Sequence, residues 1–158
     1  MDDIQLSAPH LATTTQQDTA VIRLRIPRRE MPQVMGPAMR EVLEVVRAQG
    51  IGPTGPMFSH HFQLVPGEWD FEVGVPVRTP VTPTGRVVRS EIEAQDVVRS
   101  VYRGPYEGLA TAWRTFEHAI AAANHATHVD FWERYLAGPD TSADPGDWQT
   151  ELSRPVEI

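Results

Sequence analysis

From residue 19 to residue 26, Ala20, Ile22, Leu24 and Ile26 alternate with Val21, Arg23 and Arg25, the period-two pattern of a strand with one buried face, and Pro27 ends it. Pro32 then sits where a helix can start. Val34, Met35, Ala38, Met39, Val42, Leu43, Val45 and Val46 recur at three- and four-residue spacing up to Gly50, which predicts an amphipathic helix of about 15 residues. After a Gly/Pro turn, Phe58, His60, Phe62 and Leu64 alternate with Ser59, His61 and Gln63. Beyond Pro66-Gly67, Trp69, Phe71, Val73 and Val75 alternate with Asp70, Glu72 and Gly74, so the two runs form a hairpin. The second half follows the same order. Strands are expected at 86–92 and 97–102, and Gly104-Pro105 opens a helix with Leu109, Ala112, Trp113, Phe116, Ala119, Ile120 and Ala123 on one stripe. Val129, Phe131, Glu133 and Tyr135 share one strand parity, and a last strand begins at Trp148. Near the start a strand is expected at Ile4–Leu6, followed by a polar loop, LATTTQQDT.

The repetition extends to residues. PGEWDFEVGVPV at 66–77 and PGDWQTELSRPV at 145–156 agree at six of twelve positions at a separation of 79, which equates Trp69 with Trp148 and Val73 with Leu152. Gly36-Pro37 is read as the counterpart of Gly104-Pro105. The expected fold is therefore α+β, one domain over 1–158 made of two βαββ-like pseudo-repeats, 1–80 and 81–158. Together they give a curled antiparallel sheet of about eight strands with two long helices. Such a duplication is expected to leave a ligand groove where its matching strands meet.

Composition narrows the chemistry. All 14 basic residues are arginine, so Schiff-base and P-loop lysine chemistry are excluded, and the absence of cysteine removes disulfides, thiolate nucleophiles and cysteine metal sites. A net charge of −7 argues against nucleic-acid binding and favours cations. No apolar run approaches a membrane span and the first 20 residues lack a signal-peptide pattern, so a soluble cytoplasmic protein is expected. The sequence has no G-x-S-x-G, G-x-G-x-x-G or H-E-x-x-H. His60-His61 point to opposite faces of a strand, and His125-x-x-His128 has no carboxylate or cysteine nearby, so no metal and no cofactor are expected. Asp2-Asp3 and the acidic C-terminal residues read as solvated charge. The arginines at 23, 25, 28 and 29 read as a salt-bridged face sooner than an anion or partner site.

Glu133 is the chemical anomaly, a carboxylate on the parity of Phe131 and Tyr135. Such a group must be neutralised, paired or left facing a cavity. Pairing with Arg99 or Arg103, or a turned strand with Trp132 as the core residue, stays open beside the reading of an acid in a pocket. Among the aromatics, Trp113 and Phe116 belong to the helix stripe and are assigned to the core. Trp69, Trp148, Phe58, Tyr102 and Tyr106 are divided between core and ligand contact.

The run YRGPYEGLATAW at 102–113, the WERYL at 132–136 and the closing DPGDWQTELSRPV at 144–156, in that order and spacing, resemble the GyrI-like small-molecule-binding domain, which is also the effector-binding half of many AraC-type and MerR-type regulators. No helix-turn-helix precedes the resemblance, so a stand-alone member is expected. The resemblance implies binding of hydrophobic, often cationic small molecules, as in sensing, sequestration or multidrug resistance. It places the pocket glutamate on Glu133 with Tyr135 beside it, an aromatic of the G-P-Y turn on Tyr106, and the aromatic before the last strand on Trp148. Phe58, His60, Trp69 and Phe71 would line the pocket from the first half, and Tyr102 joins them as a candidate; whether His60 or His61 faces the ligand stays open. Some stand-alone relatives resemble hydrolases that open cyclopropane rings in electrophilic natural products, with Glu133 as base or cation stabiliser and Tyr106 as proton donor. A protein partner, gyrase or a regulator, is the third expectation.

Overall fold

The computed structural model describes residues 5–157, and of residues 63–65 the backbone alone. In chain order its elements are β1 (Gln5–Leu6), β2 (His10–Thr13), β3 (Gln17–Pro27), α1 (Met31–Ala48), β4 (Phe58–Val65), β5 (Glu68–Pro76), β6 (Val88–Ile92), β7 (Asp96–Arg103), α2 (Leu109–Ala122), β8 (Ala126–Thr127), β9 (Phe131–Ala137) and β10 (Gln149–Glu157). The fold is α+β, with two long helices and, among the described residues, ten strands in antiparallel pairings. The two strands beyond the eight expected are β2 and β8. β2 lies in the stretch read as a loop: its backbone pairs with β7 from His10 opposite Arg99 to Thr13 opposite Asp96. An exposed edge ladder of four residues needs no apolar alternation, which is why the pattern hid it. Ile4 of the expected first strand and the Asp2-Asp3 pair lie outside the described residues.

By contact the chain divides into two compact units, residues 14–94 and residues 5–13 together with 95–157. In the 14–94 unit the strand order is β4-β5-β3-β6, and α1 packs on one face. Ala38, Val42 and Val46, one per turn along α1, are fully buried against Ile22, Phe71, Val73 and Val75. Each of these side chains larger than alanine contributes roughly 1.5–3 kcal/mol on burial. Gly36 and Pro37 lie inside α1, which starts at Met31 with Pro32 in its first turn. They are therefore not the counterpart of Gly104-Pro105, which precede α2. Pro37, the seventh residue of α1, has no N–H to bond the Gln33 carbonyl, yet α1 continues through it.

In the other unit the order is β7-β10-β9, with β1 and β2 on the outer edge of β7 and β8 on the end of β10. Ala112, Phe116 and Ile120 of α2 bury against Val98, Tyr102, Leu152 and Val156. Tyr102 is 4% exposed and donates its hydroxyl to the Pro105 carbonyl at 2.7 Å. The turn into α2 wraps so closely around that hydroxyl that a Cβ on Gly108 would lie 2.1 Å from it.

The ladders of the two units share a register. Val73 lies between Ile22 and Ser59, and Leu152 between Ser100 and Glu133. Both hairpins slip by one residue at the same place, skipping Phe62 in β4 and Leu136 in β9. Ser59 thus corresponds to Glu133 and His61 to Tyr135. The buried triplets of the helices are offset by the same 74 residues as these strands, which sets Met39 against Trp113. The expected unbroken alternation through Phe62 fails because the bulge inserts that residue.

Candidate functional site

Three side chains of one hydrogen-bonded group meet on the α2 face of β9. Glu133 follows Phe131 by two residues and precedes Tyr135 by two, so all three project to one side of the strand. The Trp113 indole N–H, one residue after buried Ala112 on α2, donates to Oε2 of Glu133 at 2.7 Å, and the Tyr135 hydroxyl donates to Oε1 at 2.8 Å. The Trp113 ring also packs edge-on to Phe131, with centroids 4.8 Å apart. Neither arginine weighed as a partner reaches the carboxylate. Arg99 bonds Glu151, which Arg134 of β9 also holds, and Arg103 bonds Asp147. Trp132 is buried as well, at 6% exposure, but on the opposite parity of the strand, so its burial does not turn Glu133 outward.

Tyr106 and Trp148 extend the aromatic wall. Tyr106 stands in the single 3-10 turn before α2, 38% exposed, edge-on to Tyr135 with centroids 6.2 Å apart. Trp148, immediately before β10, lies 4.9 Å from it and is pinned by an indole hydrogen bond to the Ser142 carbonyl at 3.0 Å. Gly138 allows the approach: a Cβ there would come within 2.7 Å of the Tyr106 hydroxyl.

Burial among these rings pushes the Glu133 carboxyl above the usual carboxylate range, and the hydrogen bonds from Trp113 and Tyr135 oppose the rise by stabilising the anion. Burial, then the charges of Asp140 and Glu133, raise the Tyr106 hydroxyl, so it stays a protonated donor at neutral pH. In its ionised form, a carboxylate held between ring edges and faces, with each oxygen met by a neutral donor, can pair with a weakly hydrated cation.

The remaining candidates separate. Tyr102 sits in the α2 core with its hydroxyl spent on Pro105. Trp69 and Phe71 share the α1 face of β5, whereas Phe58 and His60 take the other parity of β4. His61, not His60, joins Trp69 and Phe71: its ring stacks on Phe71 at 5.0 Å and meets Trp69 edge-on at 5.2 Å. Burial, assisted by neighbouring His60, lowers the His61 pKa to about 3. Its Nε2 lies 3.1 Å from the Ser59 hydroxyl, the counterpart of the Tyr135–Glu133 bond. Arg23 and Arg25 pair with Asp70 and Glu68, and Arg28 covers the Trp69 ring at 4.4 Å. Among the described residues no group of three histidines, aspartates or glutamates is placed to hold a metal. None of the described helices is long and apolar enough to cross a membrane.

Sequence reasoning assigned Trp113 to the core and so missed the donor that orients Glu133. The available signal was the indole N–H itself, which needs an acceptor when its ring is buried.

Comparison with known proteins bears on the fold and the family. The chain resembles the crystal structure of the EcmrR C-terminal domain, at TM-score 0.83 and 20% identity, over 98% of each chain. It is similar to the structure of SAV2435 bound to tetraphenylphosphonium, at TM-score 0.66 and 15% identity, over 96% of this chain and 94% of that one. It is also similar to a hydrolase from Listeria innocua, at TM-score 0.66 and 12% identity, over 94% and 91%. At these identities the likeness is one of fold. The chain spans 57% of the EcmrR chain in an EcmrR–DNA complex, a match of TM-score 0.83 and 20% identity that covers 95% of this chain. No curated protein matches the sequence. The model of the GyrI-like small molecule binding domain matches residues 9–157, nearly the whole chain, and the protein belongs to that family.

Proposed function

We propose that this protein binds hydrophobic organic cations at the wall formed by Tyr106, Tyr135 and Trp148, with Glu133 as the counter-charge. The observation that carries the reading is the carboxylate's environment: both oxygens accept from neutral donors, and among the described residues no basic side chain is paired with it. A small ion such as sodium would have to shed its water to enter, whereas a diffuse cation loses little hydration and gains ring faces. Sequestration or sensing of such compounds is the role that follows, and the binding of tetraphenylphosphonium by the similar SAV2435 supports the ligand class. Calorimetric titration with tetraphenylphosphonium and with tetraphenylborate, an anion of the same shape, tests it. The cation is expected to bind at least tenfold more tightly, a difference of about 1.4 kcal/mol. Equal affinity, or preference for the anion, refutes the reading.

A second reading, a cofactor-free hydrolase of cyclopropane-containing electrophiles, is favoured by one observation. The Tyr106 hydroxyl has no hydrogen-bond partner among the described residues and remains protonated near Glu133. Glu133 would take a proton from water, whose oxygen attacks the strained carbon, while Tyr106 protonates the opening ring. A mass-spectrometric time course decides between the two: a binder returns the electrophile unchanged, and a hydrolase adds one water to it.

A further inference from the structure

The segment 138–148, which joins β9 to Trp148, carries three aspartates. Two are committed locally. Asp144 accepts from the Gly146 N–H, and Asp147 bonds Arg103 and the Ser142 hydroxyl. Asp140 has no such partner among the described residues. Its Oδ1 and the Tyr106 hydroxyl both lie within 4 Å of one point beside Gly138, the position a Cβ on that glycine would take. Tyr106 is thus flanked by two carboxylates, Glu133 on its Tyr135 side and Asp140 on its Gly138 side, and both charges act on its hydroxyl. The aromatic wall of Tyr106 and Trp148 separates a poorly solvated negative charge from a solvated one.

We propose that Asp140 is a specificity-determining residue that selects ligands with two positive centres, a flat aromatic cation at Glu133 and a second ammonium group that passes Tyr106 to reach Asp140. The inference rests on the cation-binding reading above and adds the ligand's second charge. Gly138, where a Cβ would come within 2.7 Å of the Tyr106 hydroxyl, lets the ring sit close against the segment that carries Asp140. The exposed carboxylate works through solvent, so its contribution is small and falls with salt, unlike that of Glu133.

Ethidium and propidium test this directly, because they share one phenanthridinium core and propidium adds a quaternary ammonium on a short tether. Fluorescence titration at low ionic strength should give propidium an advantage of about three- to tenfold in wild-type protein. In Asp140→Asn the advantage should disappear, propidium losing more affinity than ethidium. Glu44→Gln, which removes an exposed charge from α1, should retain it and so controls for net charge. Equal affinities in wild type, or an advantage that survives in Asp140→Asn, overturns the proposal while leaving cation binding intact. Failure of both dyes to bind overturns the proposal together with the reading beneath it.

Discussion

The hairpin strands β4 and β9 have the same register, the same one-residue bulge and the same position beside a helix, yet one carries Ser59 and His61 where the other carries Glu133 and Tyr135. In β4 the two side chains bond each other within the core. His61 is 4% exposed, neutral, and stacked against Phe71 and Trp69, with Ser59 as its hydrogen-bond partner. In β9 the pair is a carboxyl and a phenol, and the rings of Tyr106 and Trp148 continue the wall from it. The helix follows suit: Met39, which offers no N–H, stands where Trp113 supplies the second donor to the carboxylate. The proposed site therefore combines three residue types on a frame that elsewhere in the same chain packs as core. The acid sits where a half-buried indole and a phenol meet its two oxygens.

That contrast can be broken at its strongest point by moving the acid. Ser59→Glu would place a carboxylate beside His61 with no indole to receive it. Chemical denaturation should show a loss of about 3 kcal/mol at neutral pH. Adding Met39→Trp should recover part of that loss, and failure to recover any of it would mean that the two helices do not correspond as their burial pattern indicates.

Acid should separate the units next. The folded His61 pKa is depressed to about 3 from 6.5, so the unfolded chain takes up a proton first and stability falls as pH drops below 6.5. Between pH 6.5 and 4.5 this costs on the order of 2–3 kcal/mol, and His61→Phe should flatten the dependence in that interval. Glu133 acts with the opposite sign. Its folded pKa is raised, so its protonation on acidification favours the native state, and its contribution is lost as pH rises from the ordinary carboxylate value through the raised one. Denaturant melts of wild type, His61→Phe and Glu133→Gln across pH 4–7 separate the two contributions.

Smaller effects sharpen the comparison at the ligand. Trp148→Ala or Tyr106→Ala should weaken binding of tetraphenylphosphonium by about 1–2 kcal/mol each, measured by calorimetry. Phe71→Ala, in the closed counterpart, should leave that affinity within error while lowering stability by about 3–5 kcal/mol. If Phe71 changed binding at unchanged stability, the β4 side would be a ligand site in its own right.

Much of this was legible in the chain. Alternation and helical spacing placed both helices and the long strands, because each element buries one face and its period survives in the sequence. Glu133 stood out since a carboxylate interrupts the Phe131–Tyr135 parity. Three features did not show. The bulges at Phe62 and Leu136 leave no residue signature, and so the contest between His60 and His61 was decided by register alone. β2 pairs through its backbone at an exposed edge, where side-chain pattern carries little information. Trp113 fits a core stripe perfectly well, and only the position of an acceptor 20 residues away reveals that its N–H is committed to Glu133.

Calorimetry of tetraphenylphosphonium binding to wild type and Glu133→Gln, with a melting curve of each, tests the central claim most directly. Glutamine keeps the volume and an acceptor for Trp113 but removes the charge. Affinity for the cation should fall by about tenfold or more, while the melting temperature stays the same or rises, since a poorly solvated charge has been removed. Unchanged affinity, or a large fall in melting temperature, would show that Glu133 is a structural hydrogen-bond acceptor and not the counter-charge of a cation site.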